Sequence, residues 1–579
     1  MASLNPVTLD IVRDSLLAAS NEVFYAFART SMSPIIYETL DYASGITDGE
    51  GNLLTQGNGV CGFIGVIAPM IRAVIERCGG ADKLNEGDIY IVNDPYMGGG
   101  THISDIGMVM PVYYKGELIA FVGNKAHWTD VGGMVAGSFT TDSTEVFQEG
   151  LCFSAVKLVD KGNIVQPVVD IIKSNVRFPQ ITEGDMWGQI ASLRTGFLRI
   201  GEICDKYSVD VVKEAMKRFL NQGEAFAKNR LKEIANGTWE AEQFMEDDGF
   251  GNLVSLKAKI TITEDEFIAD FRGSSPSVKS PINMGYSALY SSVKVVYMSI
   301  INPSYHINDG VFKPLKVIVD DSSVLNSQRP APTSCYFESM ILAADTVWRA
   351  LAPAFPDLLG AGHFGSVCAV VLTGRHHDTG APFLIVEPTA GGWGASRGKD
   401  GEVGQFCVAN GETYNVPVEM AESRYGIMID EYNLNTDGKG AGQFRGGSGC
   451  IRTYRAMSDG QSLTASFGRN KFPAWGAAKG ADGSYNSFEI HRADGTVEGP
   501  FGIIARANLN KNDAVKMTTC TGGGYGDPFE RDPKHVAMDV KNGYITLKQA
   551  ADDYGVVLDP KSLKFDSFCG GRNKSGGIQ

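Results

Sequence analysis

The sequence predicts a large mixed α/β body of the α+β type, built of several layers, with a β-rich and glycine-rich C-terminal part. The chain has 579 residues, which is more than one ordinary hydrophobic core accommodates. Its 69 glycines make up about 12% of the chain, against a usual ~7%, and favour short strands joined by turns. Segments with helical periodicity alternate with segments of strand-like pattern.

The first element is an amphipathic helix at residues 7–30, where apolar side chains recur at helical spacing. A short apolar strand follows in "GDIYIVNDPY" (87–96). The stretch "IGMVMPVYYKGELIAFVGNKAHW" (106–128) predicts two strands joined by a turn at Lys115-Gly116.

Helical periodicity returns at residues 206–236, and residues 252–273 alternate as a hairpin does. Two further helices are predicted at 337–352 and 545–553. These elements suggest four regions, which are an N-terminal α/β region at 1–205, a helical and hairpin region at 206–350, a glycine-rich β region at 351–565 and a flexible tail at 566–579.

The bulk composition excludes several classes of protein. A net charge of −15 and a pI near 5.1, without a cluster of Lys and Arg, argue against a nucleic-acid surface. The N-terminus lacks the pattern of a secretory signal, and no apolar run reaches the ~18 residues of a membrane span. Ten scattered cysteines without a CxxC pair indicate reduced, mostly buried thiols. We therefore expect a cytoplasmic protein that binds no nucleic acid and no membrane.

The stretch "NDPYMGGGTHISDIG" (93–107) leads into the predicted hairpin and raises the question of a metal site. If Lys115-Gly116 forms the turn, Asp105 pairs with Ala126 or, with a one-residue bulge, with His127. Directly opposed residues share a face, with Cβ atoms roughly 4.5–5.5 Å apart. His102, Asp105 and His127 then meet at one end of the hairpin, and two imidazoles with a carboxylate are a common set of metal ligands.

Two alternatives stay open at this point. His102 could satisfy the backbone of a glycine loop, and His127 could be a packed core residue beside Trp128. A fourth ligand is available in "YETLDYASGITD" (37–48), but sequence spacing does not choose among its candidates, which are Glu38, Asp41 and Asp48.

Other polar motifs give weaker evidence for a functional site. The glycine-rich stretches at 391–401 and 521–533 could form anion-binding nests, but we interpret them as tight turns with close backbone approach. The adjacent His376 and His377 in "GRHH" indicate a surface turn. The sequence contains no GxxxxGK[ST] loop, so a Walker-type nucleotide site is absent.

Seven separated motifs resemble the hydantoinase B/5-oxoprolinase C-terminal family, in order and over roughly residues 5–560. They are "NDPYMGGGTHISDIG", "AHWTDVGGMVAGS", "QEGLCF", "GGWGASRGKDG", "NVPVEMAE", "GAGQFRGGSG" and "GGGYGDPFERDP…VAMDVKNGYIT". This family includes N-methylhydantoinase and lactamase subunits and the large subunits of acetone and acetophenone carboxylases. The resemblance implies a hydantoinase B-like fold with a divalent metal, zinc or manganese.

Carried onto this sequence, the resemblance places the metal ligands and catalytic residues at Asp41, His102, Asp105 and His127. It puts Glu38 and Asp130 behind these ligands as supporting residues. It also implies a hydantoinase A-like partner that holds ATP and Mg²⁺, which agrees with the missing phosphate loop.

The chain departs from this pattern in one place. Many members carry a His-rich "HIPVHLGSM"-like segment where this chain reads "GNGVCGFIGVIAPM" (57–70). If that apolar segment lines the substrate pocket, a ketone is better served than a polar imide.

The leading hypothesis is therefore the metal-binding subunit of an ATP-dependent, biotin-independent ketone carboxylase of the acetophenone type. Such an enzyme uses bicarbonate and has small accessory subunits. The alternative is an ATP-dependent cyclic amidase that hydrolyses a hydantoin, lactam or oxoproline. A third hypothesis is a non-catalytic scaffold.

Overall fold

The computed structural model describes residues 5–246 and 251–572. It confirms a mixed α/β fold with several sheets. The chain divides into two compact units, of which unit 1 comprises Met1–Glu240, Leu256–Ala344 and Val408–Val416, and unit 2 comprises Ala241–Ser255, Asp345–Cys407 and Pro417–Gln579. The four regions predicted from the sequence follow other boundaries and stay predictions.

Eleven α-helices lie in the described part of the chain. They are α1 (Pro6–Thr30), α2 (Pro34–Tyr37), α3 (Cys61–Arg77), α4 (Gln166–Asn175), α5 (Pro179–Tyr207), α6 (Val209–Glu233), α7 (Tyr286–Ile301), α8 (Tyr336–Leu351), α9 (Val418–Arg424), α10 (Pro533–Lys541) and α11 (Leu547–Asp552). The predicted helices at 7–30, 206–236, 337–352 and 545–553 are confirmed as α1, α6, α8 and α11.

The strands of the described residues form five sheets. The first contains β1 (Tyr42–Asp48), β2 (Leu53–Gly59), β3 (Ile89–Val92), β4 (Asp105–Tyr114), β5 (Glu117–His127), β6 (Val156–Asp160) and β7 (Asn163–Ile164). The second contains β8 (Gly237–Met245), β9 (Val254–Ile262), β10 (Phe267–Asp270) and β11 (Leu315–Ile318). The predicted hairpin at 252–273 is confirmed as the antiparallel pair β9 and β10.

The other three sheets lie in unit 2. They contain β12 (Ala369–Arg375), β13 (Pro382–Glu387), β16 (Gln461–Ser466) and β19 (Ile503–Leu509), then β14 (Ile427–Asn435), β15 (Gly449–Ala456), β17 (Ser487–His491), β18 (Val497–Phe501) and β20 (Ala514–Thr518), and finally β21 (Val556–Leu558) and β22 (Phe565–Phe568). Because β22 pairs with β21, ordered structure continues into the predicted tail. The last seven residues of that tail lie outside the described residues.

The seven-stranded sheet of unit 1 positions the predicted site. Its strand order is β2-β1-β5-β4-β3-β6-β7, and each neighbouring pair is antiparallel. One face packs on α1 and α5, where Met108 of β4 and Val122 of β5 join their core. The other face packs on α3, where Val109 and Phe121 join a second core. Side chains alternate between the two faces because successive Cβ atoms of a strand point in opposite directions.

The 29-residue helix α5 is not among the elements predicted from the sequence. Its glycines lower helix propensity, which hides it from an inspection of local pattern. In the fold they permit close contact, since a Cβ at Gly196 would lie 2.9 Å from both Val23 of α1 and Val122 of β5. Tertiary packing therefore explains the composition of this helix.

The glycine run Gly98–Gly100 is held by packing on α3. A Cβ at Gly98 would lie 2.6 Å from the carbonyl oxygen of Pro69, and one at Gly99 would overlap Met70. Gly99 also has a φ of +83°, which L residues rarely adopt. The loop before His102 is thus a packed segment, and its glycines do not serve as a flexible approach to a ligand.

We predict that Gly99→Ala lowers the free energy of unfolding by about 2–5 kcal/mol, because left-handed strain and steric overlap add. Gly116→Ala is the matched control, because Gly116 also has a φ of +83° and no heavy atom within 4 Å of its Cβ position. The control should lose only about 1–2 kcal/mol. Denaturant unfolding measures both values, and equal losses would contradict the packing argument.

The glycine-rich stretches of unit 2 pack closely against other backbone segments, and this confirms the close backbone approach that the sequence indicated. Their backbone N–H groups donate to carbonyl groups: Gly392 to Cys520 at 3.0 Å, and Gly522 to Gly447 at 2.9 Å. A Cβ at Gly522 would overlap the backbone of Trp393. These N–H groups are therefore committed within the protein and do not form a nest for an anion.

Two predictions from composition can be compared with the structure. All ten cysteines are free thiols, and six of them are buried. No described helix is both long enough and apolar enough to span a membrane.

Candidate metal centre

The register of the β4–β5 hairpin brings the predicted ligands together. Lys115 and Gly116 form its turn, both with positive φ (52° and 83°), as tight hairpin turns require. A register shift after Val112 leaves Ile119 as an extra residue on β5, and Asp105 pairs directly with His127. Of the two hairpin registers that the sequence allows, the structure therefore has the one with a bulge.

The end of this hairpin presents its polar side chains on the α3 face of the sheet. Asp105 lies two residues before Gly107, whose Cβ would overlap Met70 of α3. His127 and Lys125 alternate in step with Phe121, which packs in the α3 core. All three polar residues are buried, at 0%, 5% and 1% exposure for Asp105, His127 and Lys125.

His102 is fixed by contacts on both ring nitrogens. Its Nδ1 lies 2.9 Å from the carbonyl oxygen of Ser334, and its Nε2 lies 2.8 Å from Oδ1 of Asp105. The ring packs against those of His127 and Tyr336, with centroids 5.1 Å away in each case. The carbonyl on Nδ1 directs Nε2 toward Asp105 and His127.

The donor set fits a divalent metal. His102, Asp105 and His127 each offer a ligand atom, and these atoms lie within 4.8 Å of one another. Oδ2 of Asp105 and Nδ1 of His127 are buried and make no hydrogen bond of normal geometry within the described residues. Because buried polar atoms without partners are costly, a cation at this position would satisfy them. A carbonyl behind a ligating imidazole is also typical of metal sites.

The charges of the cluster are strongly coupled. Burial alone would raise the pKa of Asp105, but the attraction of His102 and Lys125 outweighs it and lowers that pKa to about 2. Burial and repulsion from His102 lower the pKa of His127 to about 4. Burial lowers the pKa of Lys125 to about 8, against the attraction of Asp105. Asp105 and His127 therefore have the ionised carboxylate and neutral imidazole that bind a metal. Burial alone would lower the pKa of His102, but the Asp105 carboxylate raises it, so a metal would displace a proton from this ring.

Asp41 reaches the site through the neighbouring strand. Tyr42 of β1 pairs with Ala126, and the backbone N–H of His127 donates to the carbonyl of Asp41 at 3.1 Å. Burial and the Asp105 carboxylate raise the pKa of Asp41 to about 7. Asp41 is not one of the described residues whose ligand atoms lie within 4.8 Å of one another.

The structure separates the other two acidic candidates, Asp48 and Glu38. Asp48 ends β1 and pairs with Ala120, seven residues along β5 from His127, so it does not join the site. Glu38 follows α2 and is partly buried, three residues before Asp41.

Asp130 was expected to support the ligands, but its contacts organise the following loop. Its carboxylate accepts the backbone N–H groups of Gly132, Gly137 and Arg177 at 2.8–3.0 Å, and it pairs with the Arg177 guanidinium at 3.1 Å. Its carboxylate contacts therefore go to this loop and to Arg177.

The structure adds residues that the sequence analysis did not place at the site. Lys125 donates from Nζ to the backbone carbonyl of Asp105 at 2.9 Å, and its spacing of two from His127 is a signal that could have found it. Tyr336, the first residue of α8, packs on His102, and burial together with the carboxylates of Asp105 and Asp41 raises its pKa well above the usual range. Ser334 and Tyr336 lie more than 200 residues away along the chain, without a local signal.

A second group of possible ligands, His376, His377 and Asp378, lies in a turn between β12 and β13. It is the surface turn that the sequence indicated, with ring centroids 4.7 Å apart and Asp378 exposed. The backbone N–H of Asp378 already donates to Nδ1 of His376 at 3.2 Å. We assign it no function.

Comparison with known proteins identifies the family. The family model described as Hydantoinase B/oxoprolinase matches residues 5–528. The chain belongs to this family. It is 31% identical to the B component of a putative D-/L-hydantoinase of Pseudomonas sp. strain NS671, over 98% of each chain. It is 30% identical to the beta component of caprolactamase of Pseudomonas jessenii, over 96% of this chain and 97% of the relative.

Two solved structures share the fold of this hydantoinase B family member. The crystal structure of ATP-dependent caprolactamase from Pseudomonas jessenii has a TM-score of 0.89 at 28% identity, and 97% and 98% of the two chains are covered. The nucleotide-free structure of acetone carboxylase has a TM-score of 0.90 at 19% identity, and 99% of this chain and 82% of the other are covered. Both relatives of known structure are ATP-dependent enzymes by description.

Proposed function

We propose that this chain is the metal-binding subunit of an ATP-dependent enzyme that opens a cyclic amide or imide. The observation that carries the proposal is the buried group of His102, Asp105 and His127, whose ligand atoms lie within 4.8 Å of one another. Two buried atoms of this set make no hydrogen bond of normal geometry within the described residues, and a bound cation would satisfy them.

A cyclic amide is favoured over a ketone by two observations. The relatives at 30–31% identity are a caprolactamase subunit and a putative hydantoinase subunit, whereas identity to acetone carboxylase is 19% and supports the fold alone. The apolar stretch at 57–70 contributes the first half of α3, whose Ile67 and Met70 are buried against the sheet. Core packing explains its composition, so it no longer favours a ketone.

A divalent zinc or manganese ion bound there would supply a Lewis acid that lowers the pKa of a water or polarises a carbonyl oxygen. Three protein ligands leave positions for Asp41, water or substrate. The ammonium group of Lys125 holds the start of β4 through the Asp105 carbonyl. Tyr336 covers one side of His102 and helps to exclude bulk water from the ligands.

ATP would be bound by a separate, hydantoinase A-like subunit that also holds Mg²⁺. Relatives named as subunits support a partner, and this chain has no GxxxxGK[ST] loop. Ketone carboxylation with bicarbonate is the second candidate, since the acetone carboxylase fold covers 99% of this chain.

The two candidates differ in one substrate requirement. The chain, purified with its partner, is assayed with ATP and either a hydantoin or lactam, or acetophenone with bicarbonate. We expect ring opening that needs ATP and does not need bicarbonate. His102→Ala should abolish turnover, whereas His535→Ala, at an exposed histidine of α10, should leave it unchanged. Turnover of acetophenone that depends on bicarbonate would overturn the proposal, and no turnover despite bound metal would support a scaffold.

A further inference from the structure

Glu149, in "QEGLCF", is a carboxylate of unit 1 with 1% exposure. Its Oε1 accepts hydrogen bonds from the Ser143 hydroxyl at 2.8 Å and from the backbone N–H groups of Thr333 and Ser334 at 2.8 and 2.9 Å. Its Oε2 accepts the Thr333 hydroxyl at 3.3 Å. One side chain thus fixes two consecutive peptide groups of the turn that precedes α8.

Each polar group of Ser334 has a partner as a result. Its N–H donates to Glu149, its hydroxyl oxygen accepts the N–H of Thr140 at 2.9 Å, and its carbonyl receives Nδ1 of His102 at 2.9 Å. Ser334 and Thr333 are almost completely buried, at 1% and 0% exposure. The direction of the Ser334 carbonyl therefore depends on the anchoring of the two preceding N–H groups.

That carbonyl decides which nitrogen of His102 faces the other ligands. With Nδ1–H committed to Ser334, Nε2 points to Oδ1 of Asp105 at 2.8 Å. Outer partners of this kind orient a ligating imidazole, and their loss costs about 10–100-fold in metal affinity.

We propose that Glu149 is a positioning residue of the metal centre. It anchors the 333–334 turn, and the turn holds the Ser334 carbonyl against His102 so that Nε2 remains the ligand nitrogen. This inference rests on the proposed metal site. In this role Glu149 does not contact the metal. Its side chain is long enough to hydrogen-bond the turn at Ser334, and it acts on the metal centre through that turn.

A matched pair of variants separates the effect of the length of the Glu149 side chain from the effect of its charge. Glu149→Gln keeps the length of the side chain and its Oε1 acceptor but removes the charge. Glu149→Asp keeps the charge but is one methylene too short for the turn. Positioning requires Zn²⁺ affinity near wild type for Glu149→Gln and weaker by about 10–100-fold for Glu149→Asp. Calorimetric titration of the metal-free full chain with Zn²⁺ measures both, with Glu50→Ala, at an exposed turn, as the control.

A second readout does not depend on metal. The chain has eight histidines, so ¹⁵N-histidine NMR can follow the ring of His102, assigned by the signal lost in His102→Ala. Because both ring nitrogens face acceptors in the metal-free protein, we expect a hydrogen-bonded Nδ1–H in wild type and Glu149→Gln, and loss of that hydrogen bond in Glu149→Asp. An unchanged Nδ1–H signal of His102 together with an unchanged Zn²⁺ affinity in Glu149→Asp would overturn the inference, as would the reverse order of the two variants.

The outcomes also separate this inference from the proposed function. If wild type and His102→Ala bind Zn²⁺ equally, the proposed site fails, and the NMR result alone decides whether Glu149 orients His102. If His102→Ala loses the metal and Glu149→Asp does not, the site stands and the positioning role is wrong.

Discussion

Replacing His102 or His127 with alanine is expected to abolish stoichiometric metal binding while the fold survives. Each change removes one of the three atoms that lie within 4.8 Å of one another. The loss should exceed the roughly 10–100-fold that removal of an outer partner costs. The fold should tolerate the change because His127 is the last residue of β5 and His102 lies in the loop before β4. His127→Ala also removes a buried Nδ1 that makes no hydrogen bond of normal geometry within the described residues.

Elemental analysis of the purified variants measures the metal content, and far-UV circular dichroism checks the fold. His535→Ala is the control, because this histidine is exposed on α10. Asp105→Asn provides a further comparison, because it keeps the side-chain volume and removes the carboxylate. Full metal occupancy in both histidine variants would show that the cluster is not a metal site.

The second large effect is expected in unit 2, where Asp345 is the acceptor of a buried polar cluster. It pairs with the Arg469 guanidinium and accepts Trp475 Nε1 at 2.9 Å and Gln243 Nε2 at 2.7 Å. Nδ1 of His363 lies 3.4 Å from its other oxygen. Asp345 and Arg469 are buried at 3% and 5% exposure. Burial alone would raise the pKa of Asp345, but Arg469 and His363 hold it well below its usual range.

Asp345→Ala should therefore lower the free energy of unfolding by about 3–5 kcal/mol, because it leaves Arg469 charged and buried without its partner. Guanidinium unfolding followed by tryptophan fluorescence measures the loss. Hydrogen exchange should show that the loss of protection is greatest in the segments around residues 345, 363 and 469. Asp357→Ala is the control, since its ion pair with Arg397 is exposed (73% and 56% for the two side chains) and should contribute less than about 1 kcal/mol.

The same cluster predicts the sign of an acid effect. A carboxyl group whose folded pKa is depressed binds fewer protons when folded than when unfolded, so its stabilisation is present above the unfolded pKa of about 4 and lost as the pH falls below it. Asp345→Asn should remove this contribution to the acid sensitivity. A loss of less than about 1 kcal/mol in Asp345→Ala at neutral pH would contradict the assignment.

The local sequence pattern was sufficient to predict those elements in which the apolar positions of the sequence are the buried positions of the structure. The helix α1 has apolar side chains at helical spacing, and the β4–β5 hairpin alternates around a Lys-Gly turn, so both follow from the sequence. The helix α5 did not, because its glycines make room for α1 and β5 and lower its local helix signal. The apolar stretch at 57–70 was similarly ambiguous, since burial in a core and exposure to a substrate call for the same residues.

The family and the mixed α/β class could be predicted from sequence motifs and periodicity. The convergence of His102, Asp105 and His127 could also be predicted, because hairpin pairing follows from a turn and a period of two. The bulge at Ile119, which sets Asp105 against His127, depends on the tertiary structure, and so does the position of Asp41 directly before β1, where its carbonyl accepts the N–H of His127. The tertiary structure also brought Ser334, Tyr336 and Glu149 to the site. Contacts between residues some 200 positions apart depend on how layers pack, and no local spacing encodes them.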